Sequence, residues 1–305
     1  MKVAILLGTY NGQDYIQEQL DSFESQSHTD WNLWVSDDGS IDNTVSIVRD
    51  FSKKIGSNRV NQVSGPKKGF ATNFLGLIRN LNINADAYAY SDQDDIWMAD
   101  KLERAVCFLS SVSVKTPALY CSRTIYVDKN NQHLKPSQNF KKSPSFSNAL
   151  VQNIASGNTM VFNEAARSLL LQLHPDTKID LHDWVTYILV TGAGGQVCFD
   201  QNPSVRYRQH SRNLIGMNVG MIAAIRRFKM LLKGRFREWN DTNEGILKKM
   251  DAQLTSSNRI VFNEFIKARH SKGISRLTFL IRSGVYRQTF LNSLALYFAA
   301  LISKV

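Results

Sequence analysis

Apolar and polar positions along the first hundred residues follow a repeating order. Residues 3–7 are an uninterrupted apolar run that breaks at Gly8-Thr9-Tyr10-Asn11-Gly12, the pattern of a buried strand closed by a turn. Residues 14–25 then place Tyr15, Ile16, Leu20 and Phe23 at helical spacing. A second strand, 31–36, runs into Asp37-Asp38-Gly39-Ser40, after which Ser40 or Asp42 can cap a helix carrying Val45, Ile47, Val48 and Phe51. Residues 60–63 predict a short strand, 65–69 a loop, 70–81 a helix and 85–91 a strand that stops at Asp92. Strand and helix alternating at this rhythm predict βαβ units with right-handed crossovers and a mainly parallel sheet.

In such sheets ligands gather outside the carboxyl ends of the strands. Thr9-Tyr10-Asn11, Asp37-Asp38 and Asp92-Gln93-Asp94-Asp95 all fall at those ends, so three polar clusters from three strands are expected to meet in one crevice.

The second half is less regular. A strand is predicted over 118–127, a polar loop over 136–147, a strand over 159–162 and a helix over 164–173. Residues 183–191 read as a helix behind His182, followed by Gly192–Gly195 and a strand over 197–199. From about Met217 the pattern turns helical and basic. Met221, Ile222, Ile225, Phe228, Leu231 and Leu232 form one stripe, with Arg226, Arg227, Lys229, Lys233, Arg235 and Arg237 around it. The apolar stretch 294–302 is far short of the ~20 residues a spanning helix needs. The expected division is a catalytic domain over 1–216 and a basic, amphipathic helical region over 217–305 that meets a membrane surface or packs on the body.

Charge sharpens this division. The chain of 305 residues has a net charge of +11, and residues 206–305 hold 19 Lys and Arg against 5 Asp and Glu, a net of +14. A near-neutral body with a basic tail suggests a polyanionic surface as partner. The basic residues lack the aromatic interleaving of a base-stacking surface, so an anionic membrane is expected before nucleic acid. The start has no charged segment followed by an apolar stretch of the kind a secretory signal needs. Cys107, Cys121 and Cys198 are odd in number and widely spaced, so neither a disulfide nor a zinc framework is expected and a reducing cytoplasm is the expected location.

Asp92, Asp94 and Asp95 crowd three carboxylates into four residues. Such charges stay together when a cation or a helix N-terminus offsets them. Hard oxygen ligands suit Mg2+ or Mn2+, held between one or two carboxylates and substrate phosphates. Asp100, ahead of Lys101-Leu102-Glu103, reads as the cap of the next helix, which leaves Asp92 and Asp94 for chemistry. Asp37, at the depth of a base, can accept an imide N–H. Arg206, Arg208 and Arg212 around His210 suggest a phosphate-binding surface, with solvated charge as the alternative.

Several spaced motifs together carry a family resemblance. Thr9-Tyr10-Asn11, Gln26-Ser27, Trp31 and the run from Val35 to Thr44 resemble the opening of family 2 glycosyltransferases, and Ser91-Asp92-Gln93-Asp94-Asp95-Ile96-Trp97 resembles that family's metal-binding Asp-x-Asp motif. Gly65-Pro66, Gly69-Phe70 and Asn73-Phe74 narrow the resemblance to bacterial rhamnosyltransferases of surface-polysaccharide (O-antigen or capsule) assembly. The resemblance implies a GT-A type, Rossmann-like nucleotide-diphospho-sugar transferase fold. It implies that Thr9, Tyr10, Asn11, Asp37, Lys68 and Asp92 bind the nucleotide, and that Asp94 and His210 hold the metal. Asp183 is implied as catalytic base, with His182 where the family usually has an acid. Gly157, Asn158 and Trp184 are implied beside sugar and acceptor, and Arg208 and Arg212 at phosphate. An Asp ahead of a helix is also a common cap, so local sequence leaves both readings of Asp183 open.

The expected activity is inverting, metal-dependent transfer of L-rhamnose from a dTDP-linked donor, or of a hexose from a UDP-linked one. The expected acceptor is a glycan or undecaprenyl-linked saccharide at the inner face of the cell membrane. A nucleotidyltransferase is expected to carry a basic glycine-rich loop that Gly8–Gly12 lacks, and a processive synthase to carry spanning helices. A non-catalytic nucleotide-sugar binder or a nucleic-acid binder is the alternative from another class. A homo-oligomer is compatible with the sequence.

Overall fold

Strand β1 (Val3–Thr9) is buried on both faces, which is why its sequence reads as a continuous apolar run rather than an alternation. Val3, Ile5 and Leu7 point into one hydrophobic cluster, while Ala4 and Leu6 point into a second cluster across the sheet. The computed structural model describes residues 1–210, 229–230 and 233–305.

Parallel strands β2 (Trp31–Asp37), β3 (Val60–Ser64) and β4 (Ala87–Ser91) flank β1 in the order β3-β2-β1-β4. The sheet continues through β8 (Val161–Asn163), β6 (Ala118–Val127), β9 (Gln196–Arg208) and β5 (Ile96–Trp97), with β7 (His133–Pro136) beside β6. Beyond β4 the pairing is mixed: β6 and β9 run parallel, whereas β4–β8, β6–β8, β6–β7 and β5–β9 are antiparallel.

Helices α1 (Ile16–Glu24), α2 (Thr44–Ile55) and α4 (Lys101–Ser110) cover one face. Each presents an apolar stripe, such as Ile16, Leu20 and Phe23 of α1. Asp42 does accept the Thr44 N–H at 3.0 Å at the start of α2. Asp100 does not cap α4 with its side chain; its carboxylate pairs with Arg104 one turn on, at 3.2 Å, because a cation there is the stronger partner.

The other face carries α3 (Phe70–Arg79), α5 (Phe146–Ala149), α6 (Glu164–Leu171) and α7 (His182–Gly192). Helix α7 is buried almost all round, so its sequence lacks a polar face. Helices α8 (Arg235–Lys249), α9 (Ser256–His270), α10 (Gly273–Arg282) and α11 (Phe290–Leu301) follow. Phe236, Leu247, Phe262, Phe265, Leu280 and Leu296 from them share one core cluster with Phe146, Trp184 and Tyr187. The side-chain amide of Asn258 also donates to the carbonyls of Thr191 and Gly192, both at 2.9 Å, satisfying the end of α7. Among the described residues no helix is long and apolar enough to cross a membrane. The expected stripe from Met221 to Leu232 lies outside the described residues except at 229–230, and Arg212 lies outside them too.

Candidate active site

The carboxyl ends of β1, β2 and β4 bring the three polar clusters together. Thr9 is buried and its hydroxyl donates to Asp37 at 2.8 Å, while the Asp38 N–H donates to the Thr9 carbonyl at 2.8 Å. Tyr10 is 59% exposed at the rim, and Asn11 takes a left-handed backbone with φ of 47°. That turn is held from outside: the Asn11 N–H donates to Ser40 Oγ, and its side chain accepts from the Ile41 N–H, both at 2.9 Å.

Asp37, expected to reach a base, is a holding residue in the structure. Its carboxylate accepts from Thr9 Oγ1 and Ser40 Oγ on one oxygen and from the Gly39 and Ser40 N–H groups on the other. Four donors from the protein thus hold this carboxylate in place at the end of β2. Asp38 instead ties the next loop, accepting from the Lys67 N–H at 2.6 Å and the Gly69 N–H at 3.1 Å. Lys68 is exposed on that loop, while the stem of Lys67 lies over Gly39.

The acidic cluster after β4 divides into separate roles. Asp94 keeps an intermediate exposure and its carboxylate meets His210 Nε2 at 2.7 Å. The His210 ring stacks on Tyr15 with centroids 4.9 Å apart. Asp95 is wholly buried and accepts from the Asn158 amide at 2.6 Å and the Arg208 N–H at 3.2 Å. Lys101, also wholly buried, donates to the Asn158 carbonyl at 2.6 Å and sits 3.3 Å from the centroid of Trp97. Burial pushes the Asp92 carboxyl up to about 7, with the charges of Asp94 and Asp183 adding to the rise and Lys101 opposing it.

Arg208, expected at phosphate, turns inward. Its side chain is 0% exposed, pairs with Glu18 at 3.0 Å, and donates to the carbonyls of Asp94 at 3.1 Å and Lys129 at 2.7 Å. These bonds offset the acidic cluster from below, and a guanidinium so enclosed is a strut rather than a surface for phosphate. Asn158, expected beside the sugar, is likewise 2% exposed, with its amide on Asp95 and its carbonyl oxygen accepting from Ser156.

Asp183 lies in the first turn of α7 at intermediate exposure. The helix is flanked by Leu181, so Asp183 is not its cap. Its carboxylate accepts from the Trp184 N–H at 2.7 Å and the Gly157 N–H at 3.2 Å. Burial raises it to about 6, against the lowering effect of those bonds. Trp184, expected beside the acceptor, faces the core: it is 4% exposed, its indole donates to the Ala149 carbonyl at 2.6 Å, and it packs near Phe236 and Trp239. Helical geometry sends adjacent residues to different faces, so only one of Asp183 and Trp184 can face the crevice.

The residues fit a divalent cation only in a shared site. Among the described residues no group of three or more His, Cys, Asp and Glu is arranged to hold a metal. A carboxylate and an imidazole do stand together at Asp94 and His210, and a Mg2+ or Mn2+ ion commonly takes one or two protein ligands and completes its shell with phosphate and water.

Four residues that sequence reasoning passed over complete the site. Gln93 clamps the Tyr10 backbone, Tyr15 just ahead of α1 holds His210, Glu18 of α1 holds Arg208, and Lys101 props Asn158. Lys101 alone leaves a legible signal, since a lysine in the first turn of a helix opposes the helix dipole.

Comparisons with known proteins bear on the fold and the family. The chain is 28% identical over 247 residues to the dTDP-rhamnosyl transferase RfbG of Shigella flexneri, covering 76% of this chain and 81% of that protein. Over 107 residues it is 31% identical to the Escherichia coli enzyme WfgD, a UDP-Glc:alpha-D-GlcNAc-diphosphoundecaprenol beta-1,3-glucosyltransferase, covering 35% of this chain and 40% of that one. Its fold is similar to that of S. aureus TarS 1-349 solved with UDP-GlcNAc, with a TM-score of 0.55 at 15% identity, over 94% of this chain and 93% of that one. The mannosyltransferase PcManGT of Pyrobaculum calidifontis, solved with GDP-Man and Mn2+, gives a TM-score of 0.51 at 17% identity, over 99% and 86% of the two chains. These neighbours carry the GT-A type sugar-nucleotide transferase architecture, here with helices appended at the C-terminal end. The sequence model of glycosyl transferase family 2 matches residues 4–170, more than half of the chain, and the protein belongs to that family of glycosyltransferases.

Proposed function

We propose that this glycosyltransferase moves L-rhamnose from dTDP-L-rhamnose to a hydroxyl of a glycan or undecaprenyl-linked saccharide in surface-polysaccharide assembly, inverting the anomeric carbon. One observation carries the chemistry: the Asp183 carboxylate, raised to about 6, stands at the mouth of α7 close enough to Asp92 for the two charges to interact. A base of that strength is deprotonated near neutral pH yet able to hold a proton. Asp183 takes the proton of the acceptor hydroxyl as that oxygen attacks the anomeric carbon. The bond to the diphosphate oxygen breaks, and the electron pair leaves with the nucleotide diphosphate.

Asp94 and His210 would hold a Mg2+ or Mn2+ ion, which supplies Lewis-acid neutralisation of the diphosphate charge. Thr9, Tyr10 and Asn11 line the nucleotide side, and the Gly157 N–H keeps Asp183 aimed. The rhamnosyl donor is supported by the 28% identity to a dTDP-rhamnosyl transferase over most of both chains. A UDP-linked hexose is the alternative donor.

The test is metal-dependent nucleotide release from a panel of nucleotide sugars, with Asp94→Ala as control. Release from dTDP-L-rhamnose alone, abolished by chelator and in the variant, supports the reading. Release from a UDP-hexose alone replaces the donor, and release unchanged by chelator rejects the metal.

The same reading has the enzyme peripheral on the inner face of the membrane, where a lipid-linked acceptor is presented. Helix α11 supports it, because Phe290, Leu291 and Leu301 are 74%, 75% and 56% exposed on a helix without a charged residue. Flotation with vesicles containing an anionic lipid checks this, and failure to bind them removes the membrane from the proposal.

A further inference from the structure

Asp183 draws its partners from two directions. The Trp184 N–H, from its own helix, reaches Oδ1 at 2.7 Å, and the Gly157 N–H, from the segment ahead of β8, reaches Oδ2 at 3.2 Å. A third donor comes from that same segment: the side-chain amide of Asn153 hydrogen-bonds the carboxylate and opposes the rise that burial causes. Two of these donors belong to the backbone and come with the fold. Asn153 contributes through its side chain, so there the residue type matters.

The amide is held to face Asp183. Its Oδ1 accepts the Ala155 N–H two residues on, at 3.1 Å, a local turn that leaves the NH2 end for the carboxylate. The stretch just before it is fastened to the C-terminal helices. Arg287 Nε donates to the Val151 carbonyl at 3.0 Å, and the Gln288 N–H donates to Gln152 Oε1 at 2.8 Å. Ile154 and Ala155 behind it are buried. An NH2 group can donate to a carboxylate but cannot accept from a carboxylic acid, so this contact favours the form that takes a proton.

Neighbouring titratable groups do not supply the same help. Asp92, at the end of β4, repels the Asp183 charge, Tyr90 within β4 is kept neutral by burial, and His182 beside it is neutral above about 3. None of the three is a cation at neutral pH. Hydrogen bonds are therefore what steady this carboxylate.

Resting on the reading of Asp183 as the base, we infer that Asn153 is its positioning residue: the amide, fixed by the Ala155 N–H, holds the carboxylate in one orientation for proton transfer from the acceptor hydroxyl. A packing role would be met equally by aspartate, which has the same shape and can accept the Ala155 N–H. What an ionised aspartate cannot do is donate.

The test follows kcat/KM against pH for wild type, Asn153→Ala and Asn153→Asp, on the donor that wild type turns over. In parallel the Asp183 carboxyl is titrated by NMR of protein labelled at the aspartate carboxyl carbons, its signal identified by its loss in Asp183→Asn. For Asn153→Ala the acid limb and the Asp183 titration are both expected to rise by about one pH unit, the size of one hydrogen bond to a charged group. Asn153→Asp keeps the turn and replaces the donor with a like charge, so both should rise further. An Asp183 titration unmoved in both variants overturns the inference. So does turnover lost only in proportion to folded protein with the acid limb in place, which marks a packing role. A risen Asp183 titration with an unmoved acid limb, or wild-type turnover in Asp183→Asn, overturns Asp183 as the base and leaves the contact standing.

Discussion

The side-chain amide of Gln93 takes both backbone groups of Tyr10, accepting from its N–H at 2.8 Å and donating to its carbonyl at 2.9 Å. This two-point clamp ties the turn after β1 to the acidic loop after β4. Gly12 leaves room for it, since a Cβ there would fall 2.2 Å from Gln93 Oε1. Gln93→Ala is expected to weaken nucleotide binding by about threefold to tenfold, the worth of one or two hydrogen bonds. Gly12→Ala should do the same by displacing the amide. Titration with dTDP or UDP checks both, and wild-type affinity in both would dismiss the clamp.

Asp183 sets the acid side of the pH profile. Its carboxyl is raised to about 6 by burial, and only the deprotonated form can take a proton. The rate constant kcat/KM should therefore fall about tenfold per pH unit below about 6, and Asp183→Asn should lower kcat by about 10²–10⁴ at neutral pH. An acid limb near 4 would separate the base from this residue.

His182 gives stability a different pH dependence. Its pKa is lowered to about 3 in the folded chain from the ordinary 6.5. As pH falls below 6.5 the unfolded chain binds a proton that the native state refuses, so stability is lost progressively down to about 3. Between pH 7 and 5 wild type should lose roughly 2 kcal/mol more than His182→Phe. Urea titrations at the two pH values measure that difference, and parallel losses would count against it.

His210→Ala is expected to raise the Mg2+ or Mn2+ concentration needed for half-maximal nucleotide release by about tenfold or more, while Asp94→Ala abolishes release. The pair meets at 2.7 Å, so each residue orients the other before a metal arrives. Identical metal titrations for His210→Ala and wild type would leave Asp94 as the protein ligand without help from the imidazole.

Lys101→Met should cost about 1–3 kcal/mol of stability, because the Asn158 carbonyl loses its buried donor. The readout is the denaturation midpoint, with turnover followed in parallel. Loss of turnover without loss of stability would mean that Lys101 acts on the substrate instead.

Much of the frame was legible in the sequence because its signals are local. A doubly buried strand must be apolar throughout, which made residues 3–7 readable, and the breaks at Thr9, Asp37 and Asp92 marked the strand ends where the crevice forms. The spacing of Ile16, Leu20 and Phe23 likewise foretold α1. Strand β9 was harder to read: residues 197–199 suggested a short strand, but it runs from Gln196 to Arg208 because β6 and β5 supply partners along its length.

Side-chain direction and partner choice were decided only in three dimensions. Sequence marked Asp37, Asn158, Arg208 and Trp184 as contacts for substrate, and in the structure each also carries protein partners: four donors on Asp37, Asp95 and Ser156 on Asn158, Glu18 and two carbonyls on Arg208, and the Ala149 carbonyl on Trp184. Those partners lie far away in sequence, and no local pattern announces which polar group will be desolvated or by whom. The amino-acid order by itself determined which strand ends carry acid and which helices carry an apolar stripe. Tertiary packing decided which acids face solvent, raised Asp183 and Asp92 by withdrawing them from water, and left His182 without a partner beside Gly157. The physical reason is range: periodicity acts over a few residues, whereas burial and electrostatic environment depend on everything the fold brings near.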